Sequence, residues 1–187
     1  MTITDLLLPT YRQNLRALAS WLRKADEREG GADGLMSARL APDMFPLSTQ
    51  VRFACVQAHE GVHRLRHEPL PSHVEELLNE GRAGGERPGT VAEALARIDQ
   101  TLGFLGNVAP HDALDAAADQ PLALELPMGL AFDLTGETYV RDWAIPQFYF
   151  HITIAYAILR HEGVTLGKAD YVPYMFAHLR PGTAPTG

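Results

Sequence analysis

Three histidines, His59, His63 and His67, follow one another at intervals of four. On a helix that interval sets imidazoles one turn apart, a geometry that can chelate a transition metal. His151 stands inside the most apolar stretch of the chain, Phe148 to Leu159. A buried imidazole has to find a hydrogen-bond partner, and imidazole titrates near neutrality. His151 is therefore the first candidate for a general base or a substrate-orienting group. Asp43, a second catalytic candidate, and Gln50 are the groups expected to partner it, if the loop before the second helix folds over the ring. Arg39 shares that loop with Asp43. A positioned guanidinium there would clamp a carboxylate, and the bland alternative is an internal Arg39–Asp43 ion pair. Tyr156 is a proton donor by type, or a hydroxyl that caps a buried polar group. Arg39, Gln50 and Tyr156 form the ligand-binding set.

The remaining reactive types have simpler readings. Cys55 falls on the inward face of its helix, where an apolar setting leaves a thiol inert. Arg160 and His161 close a helix whose dipole favours cations. Lys168 follows a helix and not a strand, so Leu166-Gly167-Lys168 is no phosphate loop. The chain contains no G-x-S-x-G, Rossmann glycine pattern, Walker pattern or zinc-ribbon spacing.

Four helices have to position these residues. The first is expected from about Leu8 to Glu27, with Tyr11, Leu15, Leu18, Leu22 and Ala25 along one stripe. Pro9 fits its first turn, and Gly30-Gly31 stop it. A loop punctuated by Pro42 and Pro46 leads to the second helix, about Leu47 to His67, striped by Leu47, Val51, Ala54, Ala58, Val62 and Leu65. At about 100° per residue, His59 lies roughly 90° from that stripe, His63 roughly 130° and His67 roughly 170°. The histidine run therefore reads as walking outward into solvent. Glu80 to Gly89 is polar and glycine-rich and is assigned no structure. Thr90 with Glu93 forms a capping box for the third helix, which carries Val91, Leu95, Ile98, Leu102 and Leu105. Alternation across Leu122 to Thr135 predicts a β-hairpin turning at Pro127-Met128-Gly129 and lying on the helices. The fourth helix runs from Asp142 to about His161, with Gly163 as its C-cap. It is apolar nearly all round, which predicts burial on several sides or sharing with a second subunit. Pro173 to Gly187, with Pro181 and Pro185, reads as a tail.

The chain has 187 residues, 46% hydrophobic and 21% charged. That is one globular domain, expected over residues 1–171 and followed by a tail over 172–187. Lys plus Arg number 16 against 23 Asp plus Glu, a net charge of -7. Such a balance argues against nucleic acid and against anionic membrane surfaces as partners. A single cysteine permits no internal disulfide and agrees with a reducing compartment. The first ten residues lack a cationic flank, and no apolar run reaches the ~20 residues of a membrane span. The expected address is the cytoplasm.

Two stretches carry a resemblance. The first is Ala38-Arg39-Leu40-Ala41-Pro42-Asp43-Met44-Phe45-Pro46-Leu47, followed by Gln50-Val51. The second is Pro146-x-Phe148-x-Phe150-His151, then Ala155-Tyr156-x-Ile158-Leu159-Arg160-His161-x-Gly163-Val164-x-Leu166-Gly167-Lys168-x-Asp170-Tyr171. With Gly136 and Tyr139 also in place, the chain from Met1 to Tyr171 resembles an uncharacterised domain-of-unknown-function family in the DinB/YfiT-like superfamily. The resemblance implies an all-α, up-down-down-up four-helix bundle, often dimeric, here with a small hairpin before the last helix. Many members of the superfamily hold a divalent metal through three histidines. One comes from the second helix and two from an H-x-x-x-H pair on the fourth. Some are transferases or isomerases that work with mycothiol, bacillithiol or glutathione. In this chain His151 takes the first fourth-helix position, but Ala155 stands where the second would be and Gln50 replaces the second-helix histidine.

Three functions compete on these residues. The first is a small-molecule binder or metal-independent enzyme around His151, Gln50 and the Arg39–Asp43 loop, with no cofactor. The second is a homodimeric structural or interaction protein without chemistry. The third is a hydrolase or thiol transferase/isomerase dependent on a divalent metal such as Zn or Ni. Its ligands would be rearranged, for example His59, His63 and His151. His151 and His161 cannot share an ion unaided, because ten residues of helix separate them by about 15 Å.

Overall fold

The computed structural model describes residues 1–108, 114–127 and 129–183. Helix α1, Ile3–Asp26, begins five residues earlier than its apolar stripe suggests. Thr2 and Asp5 build a capping box that satisfies two free N–H groups at that start. Pro9 consequently lies inside the helix, on its exposed side, where water can take the carbonyl that the missing N–H leaves free.

Helix α2, Leu47–Leu65, is the predicted second helix, and every residue of its stripe is buried. It ends at Arg66, and His67 turns the chain with φ at 55°. Helix α3, Ser72–Arg82, with a 3-10 turn over Ala83–Gly85, occupies the stretch that sequence patterning leaves unassigned. Its buried residues Val74, Leu77 and Gly81 give a short amphipathic face that lies on α2. The glycine-rich segment from Glu80 is thus ordered helix end and turn. At Gly81 an added Cβ would sit 2.4 Å from the Phe53 ring, so the close approach of α3 to α2 requires glycine. Helix α4, Val91–Asn107, opens on the Thr90–Glu93 box as expected.

Strands β1, Pro121–Glu125, and β2, Ala131–Thr135, pair antiparallel with Leu122 opposite Leu134 and Leu124 opposite Phe132. β1 is the better anchored strand: Leu122 and Leu124 are buried, whereas in β2 Leu134 packs on the core and Phe132 is exposed. Met128 of the predicted turn lies outside the described residues. The fourth bundle helix starts earlier than Asp142. Thr135 caps α5, Gly136–Tyr139, which runs through a π-turn at Val140–Ala144 into α6, Ile145–His161. Gly163 closes it with φ at 78°. A short helix α7, Lys168–Tyr171, and a largely exposed 3-10 turn, Pro173–His178, follow. Pro185 of the expected tail falls outside the described residues.

Side-chain contacts fix the direction of each helix. Arg12 reaches the Leu105 carbonyl and Arg23 pairs with Asp99, so α1 and α4 are antiparallel. Tyr11 meets Phe148 and Trp21 meets Tyr156, so α1 and α6 are parallel. Gln50 meets His151 near one end of α2, while Leu65 at its other end lies beside Gly136, so α2 and α6 are antiparallel. The order is up-down-down-up, as expected. Only one side of α6 is buried, however. Phe148, His151, Ile152, Ala155, Ile158 and Leu159 face inward, and Phe150 is 53% exposed. Among the described residues no helix is long and apolar enough to cross a membrane.

Candidate functional site

The loop before α2 is tied to the bundle by its backbone: the Leu47 N–H donates to the Ala38 carbonyl at 2.9 Å. One turn into α2, Gln50 is buried, and the antiparallel α6 brings His151 against it. The Gln50 Nε2 group donates to the Phe45 carbonyl at 3.1 Å. A carbonyl can only accept, so the amide must turn its Oε1 toward His151, 2.9 Å from Nδ1. That oxygen in turn demands a proton on Nδ1. One backbone carbonyl thereby selects the imidazole tautomer, leaving the Nε2 lone pair as the free basic atom. Burial lowers the His151 pKa to about 4, so the ring is neutral at pH 7. Phe53 and Phe150 present their rings to it, each with centroids 5.4 Å away, and Phe45 packs on Phe53.

The other candidates do not converge on this pair. Asp43 is exposed and makes no bond to His151. Arg39 is half-buried and donates only to the Pro42 carbonyl at 3.5 Å, so the Arg39–Asp43 ion pair does not form. Tyr156 packs edge-on against Trp21 and Tyr171, farther along α6. Cys55 is fully buried, and desolvation pushes its thiol up to about 12, which makes it inert at neutral pH. Arg160 reaches the Leu166 carbonyl beyond the helix end.

The histidine run departs from its sequence reading. His59 and His63 are buried, and only His67 is exposed. The angles about α2 are as expected, but His73 of α3 and Phe104 of α4 cover the flank that the sequence alone assigns to solvent. Phe104 stacks on both rings, at 4.3 Å from His59 and 5.2 Å from His63. His63 also holds Glu68 through Nδ1 at 3.1 Å. The alternative metal set of His59, His63 and His151 is not brought together. Gln50, which marks the level of His151, lies nine residues from His59, about 14 Å along the helix. The three-histidine site implied by the superfamily resemblance does not fit either. Ala155 supplies no donor, and Gln50 already spends both ends of its amide on Phe45 and His151. Among the described residues no group of three or more His, Cys, Asp or Glu could hold a metal ion.

A second polar feature has no sequence signature beyond scattered charge. Arg52, buried on α2, and Arg97 on α4 both bind Glu80 of α3. Burial alone would raise the Glu80 pKa. The Arg97 hydrogen bond and the two guanidinium charges outweigh it and hold the carboxyl below its ordinary value. These residues line an open cleft of about 610 Å³, joined by Arg87, Glu76 and Glu93. With three cations balanced by three anions, the cleft carries no net charge for a ligand to read, and its central carboxylate already satisfies both inner arginines.

Comparison with known proteins gives a consistent placement. A family model described as a domain of unknown function (DUF1993) matches residues 3–172. A crystal structure of a DinB family member protein from Shewanella denitrificans is similar along nearly the whole length. It shares 33% sequence identity over 98% of this chain and 96% of that chain, with a TM-score of 0.70. No curated protein matches the chain.

Proposed function

Since the chain belongs to the DUF1993 family of domains of unknown function and has a DinB-like helical fold, we propose from its own residues that it binds a small molecule at His151 without a metal there. The observation that supports this reading is the Phe45–Gln50–His151 relay, which sets one tautomer and leaves one lone pair. Such a nitrogen accepts a hydrogen bond from a thiol, phenol or alcohol, and the surrounding Phe45, Phe53 and Phe150 rings contact an apolar body. An imidazole with a pKa near 4 holds a proton weakly, so orientation of a donor outranks general-base catalysis.

The test is a thermal-shift screen of small thiols and phenols at pH 7, run on wild type and on His151→Ala. A binder present at 100 times its Kd adds about 2.7 kcal/mol, which raises Tm by roughly 5–10 °C for a chain of this size. At least one compound is expected to give that rise in wild type and not in the variant. Hits that persist in His151→Ala, or a folded wild type with no hits, would sink the proposal.

A homodimer is the second reading, favoured by the exposed rings of Phe150, against His151, and Phe45, against Phe53, 53% and 51% accessible. A second copy can cover such a patch symmetrically, each α6 lying on the other. Light scattering at micromolar concentration is expected to give twice the chain mass and Phe150→Glu the single mass. A monomeric wild type rules this reading out.

A further inference from the structure

We propose that His59 and His73 form a two-histidine site for a borderline divalent transition metal in the crevice between α2, α3 and α4, separate from His151 and independent of what binds there. His59 is 3% exposed, and its Nδ1 is buried without a hydrogen-bond partner. Interiors rarely tolerate an orphaned polar atom, because its desolvation cost is not repaid. The His73 ring, carried in on α3, stands beside it with centroids 5.4 Å apart and planes crossed at 76°. Two imidazoles sharing a tetrahedral ion at about 2.0–2.1 Å from each nitrogen have centroids about 5.2 Å apart. The observed pair already has that separation. Between the rings and α4 lies a cavity of about 70 Å³, lined also by Leu77, Arg97, Gln100, Thr101 and Phe104. It exceeds the ~30 Å³ share of one water molecule, so an ion with one or two waters fits.

The chemistry of the lining restricts the occupant. Imidazole nitrogens suit Zn, Ni and Cu; the Gln100 Oε1 already accepts from Arg97 and the Thr101 hydroxyl donates to the Arg97 carbonyl, each at 2.9 Å, so water has to complete the ligand set. No carboxylate lines the cavity, and the Arg97 guanidinium that does is paired with Glu80, which it shares with Arg52. A hard cation such as Mg or Ca therefore has nothing to hold it. Copper(II) should bind most tightly and zinc more weakly, following the general order for nitrogen sites.

His73 is exposed and can be changed without opening the core, whereas His59 cannot. The experiment uses the full, untagged chain, stripped with chelator. It is titrated with Cu(II) and with Zn(II) by calorimetry, followed by elemental analysis after gel filtration. Wild type and His151→Ala should each bind one equivalent, while His73→Ala should bind at least tenfold more weakly. Paramagnetic broadening of the His59 and His73 ring resonances by substoichiometric Cu(II) should place the ion. Absence of binding by wild type, or binding that survives in His73→Ala, would overturn the site. Binding lost in His151→Ala but kept in His73→Ala would overturn it as well, and would also contradict a metal-free His151.

Discussion

Acidifying the metal-free protein from pH 7 to pH 4 is expected to remove about 3 kcal/mol of stability through His151 alone. The ring is neutral in the fold, with its pKa lowered to about 4 by burial, while the unfolded chain offers an ordinary imidazole near 6.5. Below pH 6.5 the unfolded state takes up a proton that the folded state refuses. The contribution is therefore complete above pH 6.5, falls as the pH drops, and is exhausted near pH 4. Burial alone sets the direction, because the Gln50 Oε1 accepts from Nδ1, a bond that both the neutral and the protonated ring make. Urea unfolding at intervals between pH 7 and 4 provides the measurement. His151→Asn should begin less stable at pH 7 and then lose less on acidification, by about 3 kcal/mol relative to wild type over the interval. Parallel losses in both proteins would show that His151 stays protonatable in the fold and that its burial has been misjudged.

Phe148→Ala is expected to cost about 3–5 kcal/mol, whereas Phe150→Ala two residues on should change the stability of a protomer by less than about 0.5 kcal/mol. Phe148 is completely buried and sets its ring edge against Tyr11 of α1 at 4.7 Å. Removing it deletes the transfer free energy of the ring and leaves a cavity that α1 and α6 cannot close. The two helices are held together elsewhere by Trp21 on Tyr156, and α1 is fixed further by the Trp21 N–H on the Asp170 carbonyl of α7. Two or more kcal/mol is a large share of the stability of a single domain. The variant should therefore unfold at a lower denaturant midpoint with unchanged slope. A Phe148→Ala protein as stable as Phe150→Ala would mean that the α1–α6 seam is not part of the cooperative core.

The contrast between these two phenylalanines shows where sequence stops being informative. Both lie in a stretch with apolar residues on nearly every side, so periodicity cannot say which face is inside. The same limit governs the histidine run. The angles of His59 and His63 about α2 follow from the sequence, but whether a given angle meets water or protein depends on a neighbour. That neighbour, α3, is a short helix whose only signature is Val74, Leu77 and Gly81 between two prolines and a glycine cluster. Asp43 shows the converse: its loop motif is legible, yet the loop reaches Gln50 through the Phe45 carbonyl and leaves the acid outside.

What the sequence determined by itself was whatever depends on short range. The stripes of α1, α2 and α4, the Thr90–Glu93 cap, the hairpin alternation and the Gly163 stop all follow from local periodicity, whereas the choice of Gln50 over Asp43 as the partner of His151 does not. The tertiary structure alone decided which histidines are buried, that Arg39 and Asp43 remain apart, and that Glu80 joins Arg52 to Arg97. The reason is physical: a residue's pattern fixes its direction from its own helix axis, but burial, pKa and the identity of its neighbours depend on which distant surface fills that direction.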